Sequence, residues 1–165
     1  MMILTRRAAI ASLAAQRKQP NILFFFPDQW RHDWTGFNKA LPLRTPNLTR
    51  LASMGTRFDH CLVASPLCAP SRACLASGQE YDQARVPSNQ YDYPLDQPTY
   101  YQRLKDGGYW TMACGKVDLH KKTQDWGTDG RRLTANWGFS DAIDNAGKGD
   151  AISSVKRNGK PMDPY

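Results

Sequence analysis

Cys68 and Arg72 stand one helical turn apart in the stretch Pro66-Leu67-Cys68-Ala69-Pro70-Ser71-Arg72-Ala73-Cys74-Leu75-Ala76-Ser77-Gly78. Pro70-Ser71 predicts a helix opening, because proline tolerates the first turn and serine satisfies a free amide there. Gly78 predicts the helix end. Cys68 then lies just before a helix N-terminus, where amide dipoles and a guanidinium favour a bound anion. An isolated cysteine is more often packed than reactive, but a proline-rich loop leading into a helix is not an ordinary core position. The local chemistry is a cysteine placed to handle an anion. If it acts as a thiolate it needs a base, with His60 and His120 as candidates.

Two further groups of residues have suitable chemistry. Asp28-Gln29 follows the apolar run Asn21-Ile22-Leu23-Phe24-Phe25-Phe26 and Pro27. Asp28 reads as a turn residue or as an oxygen ligand for a hard cation, and the turn reading is the simpler one when the residue is taken alone. Gly115-Lys116-Val117-Asp118-Leu119-His120 closes a later apolar run. Lys116 and His120 at a strand end are, by type alone, ordinary surface residues.

The elements that position these groups alternate. The run 21–26 lacks helical periodicity and predicts a strand buried on both faces, as in a parallel sheet covered by helices. Asp28 then sits at its C-terminal edge, where open α/β sheets place ligands. Thr45 to Gly55 predicts a helix capped by Thr45, with Pro46 in first position, Leu48, Leu51 and Ala52 on one face, and Gly55 ending it. A strand is expected over 56–63. Residues 79–98 predict a long loop over the site. Thr99 to Asp106 predicts a helix stopped by Gly107-Gly108, and Tyr109 to Cys114 a third strand. The alternation points to an α/β sheet.

At 165 residues, 41% hydrophobic and 22% charged, the chain has the composition of one globular domain. No apolar run approaches the ~20 residues of a membrane span. The net charge of +7 is spread over pairs such as Arg6-Arg7, Lys121-Lys122 and Arg131-Arg132. It lacks the basic helix or aromatic interleaving of a nucleic-acid module, so no nucleic-acid partner is expected. Cys61, Cys68, Cys74 and Cys114 show no zinc-site spacing. Cys61 and Cys114 read as buried small hydrophobes, and a disulfide among Cys61, Cys74 and Cys114 is open to an oxidising compartment. Residues 1–19, with Arg6-Arg7 before a short apolar segment, resemble a bacterial twin-arginine export signal; the other reading is a disordered or frayed arm. A periplasmic or secreted location follows from the first reading, a cytoplasmic one from the second.

Three segments together carry a family resemblance. Cys68-x-Pro70-Ser71-Arg72, with its small-residue turn to Gly78, resembles the signature of the formylglycine-dependent, arylsulfatase-like sulfatases of the alkaline-phosphatase superfamily. Thr45-Pro46-Asn47-Leu48-x-Arg50-Leu51-Ala52-x-x-Gly55-x-x-Phe58 is similar to a sulfatase segment upstream of that cysteine. Gly115-Lys116-x-x-Leu119 resembles the family's Gly-Lys-x-His-Leu, with Asp118 in the histidine position. Trp137-Gly138-Phe139 resembles the Gly-Phe that follows. The implied fold is an alkaline-phosphatase-like α/β sandwich with a mostly parallel central sheet flanked by helices, incomplete in this chain. The resemblance spans roughly residues 20–140, and residues 20–165 are expected to form the N-terminal part of a catalytic domain.

The resemblance also implies a chemistry. Cys68 would be oxidised to formylglycine by a formylglycine-generating or sulfatase-maturing enzyme, and the hydrated aldehyde would attack sulfur. Asp28, Gln29 and the modified Cys68 would bind Ca²⁺, or Mg²⁺ instead; Gln29 replaces the commoner second aspartate. Arg72 would hold the hydrate, Lys116 would bind the sulfate, and His120 would take the acid–base role. The substrate would be a small sulfate ester or a sulfated glycan. A phosphonate monoester or phosphodiester hydrolase of the same superfamily and a non-catalytic remnant are the alternatives. The family's second metal pair, Asp-His-Gly or Asp-Asn-Gly, does not occur, so the isolated chain is expected not to complete a turnover.

Overall fold

The computed structural model describes residues 19–124, 126, 133–145, 147 and 152. The export-signal segment and the tail beyond 152 lie outside the described residues. The chain divides into two compact units, residues 1–59 and 60–165. In chain order the elements are α1 (Pro46–Ser53), α2 (Cys68–Ser77), α3 (Tyr100–Asp106), β1 (Met112–Gly115), α4 (Leu133–Asn136) and β2 (Asp141–Asp144).

In the first unit, Pro46 occupies the opening of α1, as expected of a residue with no amide hydrogen to lose. Thr45 does not cap it. Its hydroxyl accepts from the Gly36 amide at 2.7 Å instead, which ties the 36–45 loop to the helix start. The helix ends on Met54 rather than Gly55, and none of its residues is buried. Residues 21–26 and 56–63 are not in strands, contrary to expectation. An apolar run becomes a doubly buried strand only when neighbouring strands hydrogen-bond along it and layers cover both faces. Here Leu23 and Phe25 are largely exposed, and Phe24 stacks on Phe26 at 5.4 Å. The unit instead presents an open apolar groove of about 860 Å³, lined by Phe24, Trp30, Phe37, Leu51 and Phe58 among others.

The second unit holds the core. β1 and β2 pair in parallel, with Met112 opposite Asp141 and Gly115 opposite Asp144. β1 starts three residues later than Tyr109. Gly107 ends α3 as expected, and Thr99, expected as its first residue, is instead its cap, accepting from the Gln102 amide at 3.0 Å. Around this pair pack Ala69, Ala73, Cys74, Ala84, Val86, Tyr93, Leu119, Trp137 and Phe139. Residues 79–98 form a long loop without helix or strand, as expected, and Ala84, Val86 and Tyr93 from it are buried in the core. Burial pushes the Tyr93 phenol up to about 12, and it donates to the Pro98 carbonyl at 2.9 Å.

All four cysteines are free. Cys74 is buried, and desolvation raises its thiol pKa, so it packs as a small hydrophobe. Cys61 and Cys114 are exposed, which corrects the expectation of burial. Cys114 lies on the outward alternation of β1, and 56–63 forms no strand to bury Cys61. Among the described residues no helix is long and apolar enough to cross a membrane.

Candidate active site

Cys68 is the first residue of α2, not the residue before it, and Leu67 is the cap position. Pro70 and Ser71 thus fall inside the first turn, and the Ser71 amide bonds the Leu67 carbonyl at 3.0 Å. Gly78 ends the helix in the left-handed conformation (φ 68°), with its amide on the Cys74 carbonyl at 2.8 Å. The capping group comes from far along the chain: Asn89 Oδ1 accepts from the Ala69 amide at 2.9 Å. Asn89→Ala is expected to cost about 1 kcal/mol, like loss of a cap, and to fray the turn that carries Cys68. Amide hydrogen exchange at Ala69 would test this, and unchanged protection would sink it.

Cys68 is half-buried, and Arg72 lies on the same face of α2, one turn on. The Arg72 Nη1 donates to the Lys116 carbonyl just beyond the end of β1. The Cys68 helix and the Lys116 turn are therefore fastened together by the arginine of the motif. The Lys116 ammonium sits 3.3 Å from Asp118 Oδ2, and that carboxylate also receives Lys121 Nζ at 3.1 Å.

His120 is not the surface residue its type suggests: β1 ends at Gly115, and Asp118 turns the chain through a left-handed conformation (φ 56°). His120 is fully buried. Its Nε2 meets Asp144 Oδ2. Its ring stacks on Trp137 (6.0 Å, 10°) and lies 6.2 Å from Trp126. Asp144 Oδ1 also accepts from the Val117 amide at 3.1 Å. One carboxylate at the end of β2 thus holds the histidine and the backbone leaving β1. Asn89, Lys121 and Asp144 were not singled out from sequence. An acid closing the run after Trp137-Gly138-Phe139 was the one available signal for Asp144, and nothing local marks Asn89.

Asp28 and Gln29 are exposed in the first unit, and Asp28 Oδ1 accepts from the Gln29 amide at 3.0 Å. A carboxylate and an amide carbonyl are oxygen donors of the type Ca²⁺ or Mg²⁺ takes, but calcium needs about six to eight. Asp33 is engaged by Arg31 through a two-point contact at 2.7 and 3.0 Å. Among the described residues no three His, Cys, Asp or Glu side chains are grouped to hold a metal. The described donors do not make a complete cation site.

A family model described as Sulfatase matches residues 20–164. The chain belongs to the sulfatase family. Its relatives include the choline-sulfatase of Rhizobium meliloti (strain 1021), 36% identical over 116 residues that cover 70% of this chain and 23% of that protein. Human arylsulfatase A is 34% identical over 137 residues, covering 79% of this chain and 26% of its own length. The crystal structure of the sulfatase yidJ from Bacteroides fragilis matches with a TM-score of 0.59 at 30% identity, over 63% of this chain and 24% of that one. The expected α/β, alkaline-phosphatase-like class is thus met, with helices beside a small parallel sheet. This sulfatase chain spans about a quarter of the length of these relatives.

Proposed function

We propose that the chain is the N-terminal part of a sulfuric ester hydrolase in which Cys68 is the site of formylglycine formation. The observation that carries this is the bond from Arg72 to the Lys116 carbonyl, which joins two motif segments well separated in sequence. In this reading Arg72 keeps a permanently charged, planar donor beside Cys68, and Lys116 contacts the sulfate. The substrate class is a sulfate ester, whether a small molecule or a glycan, as the relatives named for choline sulfate and N-acetylglucosamine-6-O-sulfate suggest. The aldehyde, when present, supplies a hydrated nucleophile, and a maturing enzyme is the partner that makes it. A divalent cation, calcium or magnesium, would take Asp28 and Gln29 among its ligands and supply Lewis acidity. A twin-arginine export route and a periplasmic or secreted location belong to the same proposal.

His120, the remaining residue of the expected set, is fully buried against Asp144 and the rings of Trp126 and Trp137. The described geometry therefore assigns proton transfer to no residue. That enclosure, together with Asp118 in the family's histidine position, favours a second reading: a catalytically silent remnant.

Mass spectrometry of the protein from its native source separates the two. Trypsin should release Phe58 to Arg72, and the mass of an aldehyde at Cys68 is expected. A free thiol throughout the population would sink the first reading and leave the remnant. In the full-length protein Cys68→Ala should abolish sulfate-ester hydrolysis, and surviving activity would remove Cys68 as the nucleophile's source.

A further inference from the structure

Lys116 and Lys121 reach the same carboxylate. Asp118 is completely buried, and its Oδ2 lies 3.3 Å from Lys116 Nζ and 3.1 Å from Lys121 Nζ; its Oδ1 is also within 3.3 Å of Lys121. Both lysine side chains are largely withdrawn from solvent, 13% and 7% exposed. A long, flexible lysine buried in this way gives up rotamer freedom, which a charge-assisted hydrogen bond offsets. The turn that makes the arrangement possible is the left-handed backbone of Asp118 itself, a conformation aspartate tolerates better than most residues. A second constraint acts on Lys116 alone. A Cβ added at Gly147 would stand 2.9 Å from Lys116 Cε and 3.0 Å from its Nζ, so the bare glycine backbone forms the wall against which the ammonium rests.

We propose that Asp118 is a positioning residue that sets Lys116 and Lys121 as a linked pair, with Gly147 as the wall of the Lys116 seat. Lys121 thereby becomes a second cation coupled to whatever anion Lys116 contacts. This rests on the reading of Lys116 as the sulfate ligand, and it adds Asp118, Lys121 and Gly147 to that site. The Asp118 carboxylate binds its lysines without meeting the anion. Its charge keeps two ammonium groups at one place, where Coulomb repulsion would otherwise drive the flexible stems apart.

The test is residue-resolved acetylation of the 165-residue chain, with exposed Lys105 as internal reference. Asp118→Asn keeps the shape and the tolerance of the left-handed turn but halves the charge-assisted contacts. It should speed acetylation of Lys116 and Lys121 together, by about tenfold, the scale of losing a hydrogen bond between charged partners. Gly147→Ala meets only the far end of a flexible side chain, so the chain should fold; it should speed Lys116 by several-fold and leave Lys121 and Lys105 unchanged. A Lys121 rate that does not move in Asp118→Asn overturns the pairing. A Lys116 rate that does not move in Gly147→Ala overturns the seat. Should Asp118→Asn not fold, Lys121→Gln decides the pairing: leaving the carboxylate to Lys116 alone should slow Lys116 acetylation, and an unaltered rate overturns it. Inorganic sulfate at constant ionic strength serves as the probe for the site reading: it should protect both lysines with a single midpoint. Protection of Lys116 alone overturns the coupling of Lys121. Protection of neither overturns the reading of Lys116 as the sulfate ligand, while the variant rates judge Asp118 and Gly147 separately.

Discussion

Gly138→Ala is expected to lower the unfolding free energy of the second unit by about 3 kcal/mol or more, combining core overpacking with a left-handed backbone penalty. Gly138 has φ 103°, which side chains rarely adopt. A Cβ there would stand 2.3 Å from the Gln102 nitrogen, 2.5 Å from its Cα and 2.7 Å from the Tyr101 carbonyl carbon. These are backbone atoms of α3, so nothing swings aside to make room. The surrounding bonds would be lost together. Thr99 Oγ1 donates to the Trp137 carbonyl at 2.5 Å, and Thr111 Oγ1 donates to the Gly138 carbonyl. Tyr101 also packs on Phe139 with ring centroids 4.3 Å apart. The turn therefore locks the start of α3, the entry to β1 and the tryptophan core against one another. Urea unfolding followed by tryptophan fluorescence would measure the change, and an unshifted midpoint would show that the helix does not approach this closely in solution.

Asp144→Ala is expected to destabilise the same unit by about 3 kcal/mol, the lower part of the range for removing one partner of a buried pair. Two contacts vanish at once. His120, fully buried, loses the acceptor for its Nε2, and the Val117 amide loses its bond to Oδ1. The imidazole would keep its stacking on Trp137 but not the carboxylate that fixes its tautomer and angle. Asp144→Asn is expected to cost less, because its side-chain carbonyl can still accept from one of the two donors. His120→Ala and Asp144→Ala should combine non-additively, since both remove the same interaction. Fully additive losses in a double-mutant cycle would contradict the pairing. Loss of the pair should also loosen the β1–β2 end, seen as faster amide exchange at Val117.

The two predictions share a physical origin with the parts of the molecule that were hard to foresee. Some helix ends were legible. Pro46, Gly78 and Gly107 stand where local rules put them, because such residues act on amides within a few residues of themselves. Even there, Thr45 capped a loop and Asn89 took over the start of α2 from a distant segment. The chemistry of the candidate site was legible as residue types: a cysteine and an arginine on one helix face, and a lysine at a strand end. Its geometry was not. Asp118 takes a left-handed turn, Lys116 and Lys121 share its carboxylate, and His120 is buried beside Asp144.

Strands were the least legible. The run Asn21 to Phe26 has the composition of a doubly buried strand, yet a strand exists only through the neighbours that bond to it, and in this structure the run is largely exposed. Met112 to Gly115, less apolar, became a strand because Asp141 to Asp144 lies beside it in register. Order along the chain was sufficient to specify the family, the motif residues and several helix boundaries, since each depends on side chains a turn or so apart. Which apolar runs pair, which polar groups are enclosed, and which charges share a partner were settled by tertiary packing, because those choices depend on atoms brought together from segments 20 to 44 residues apart.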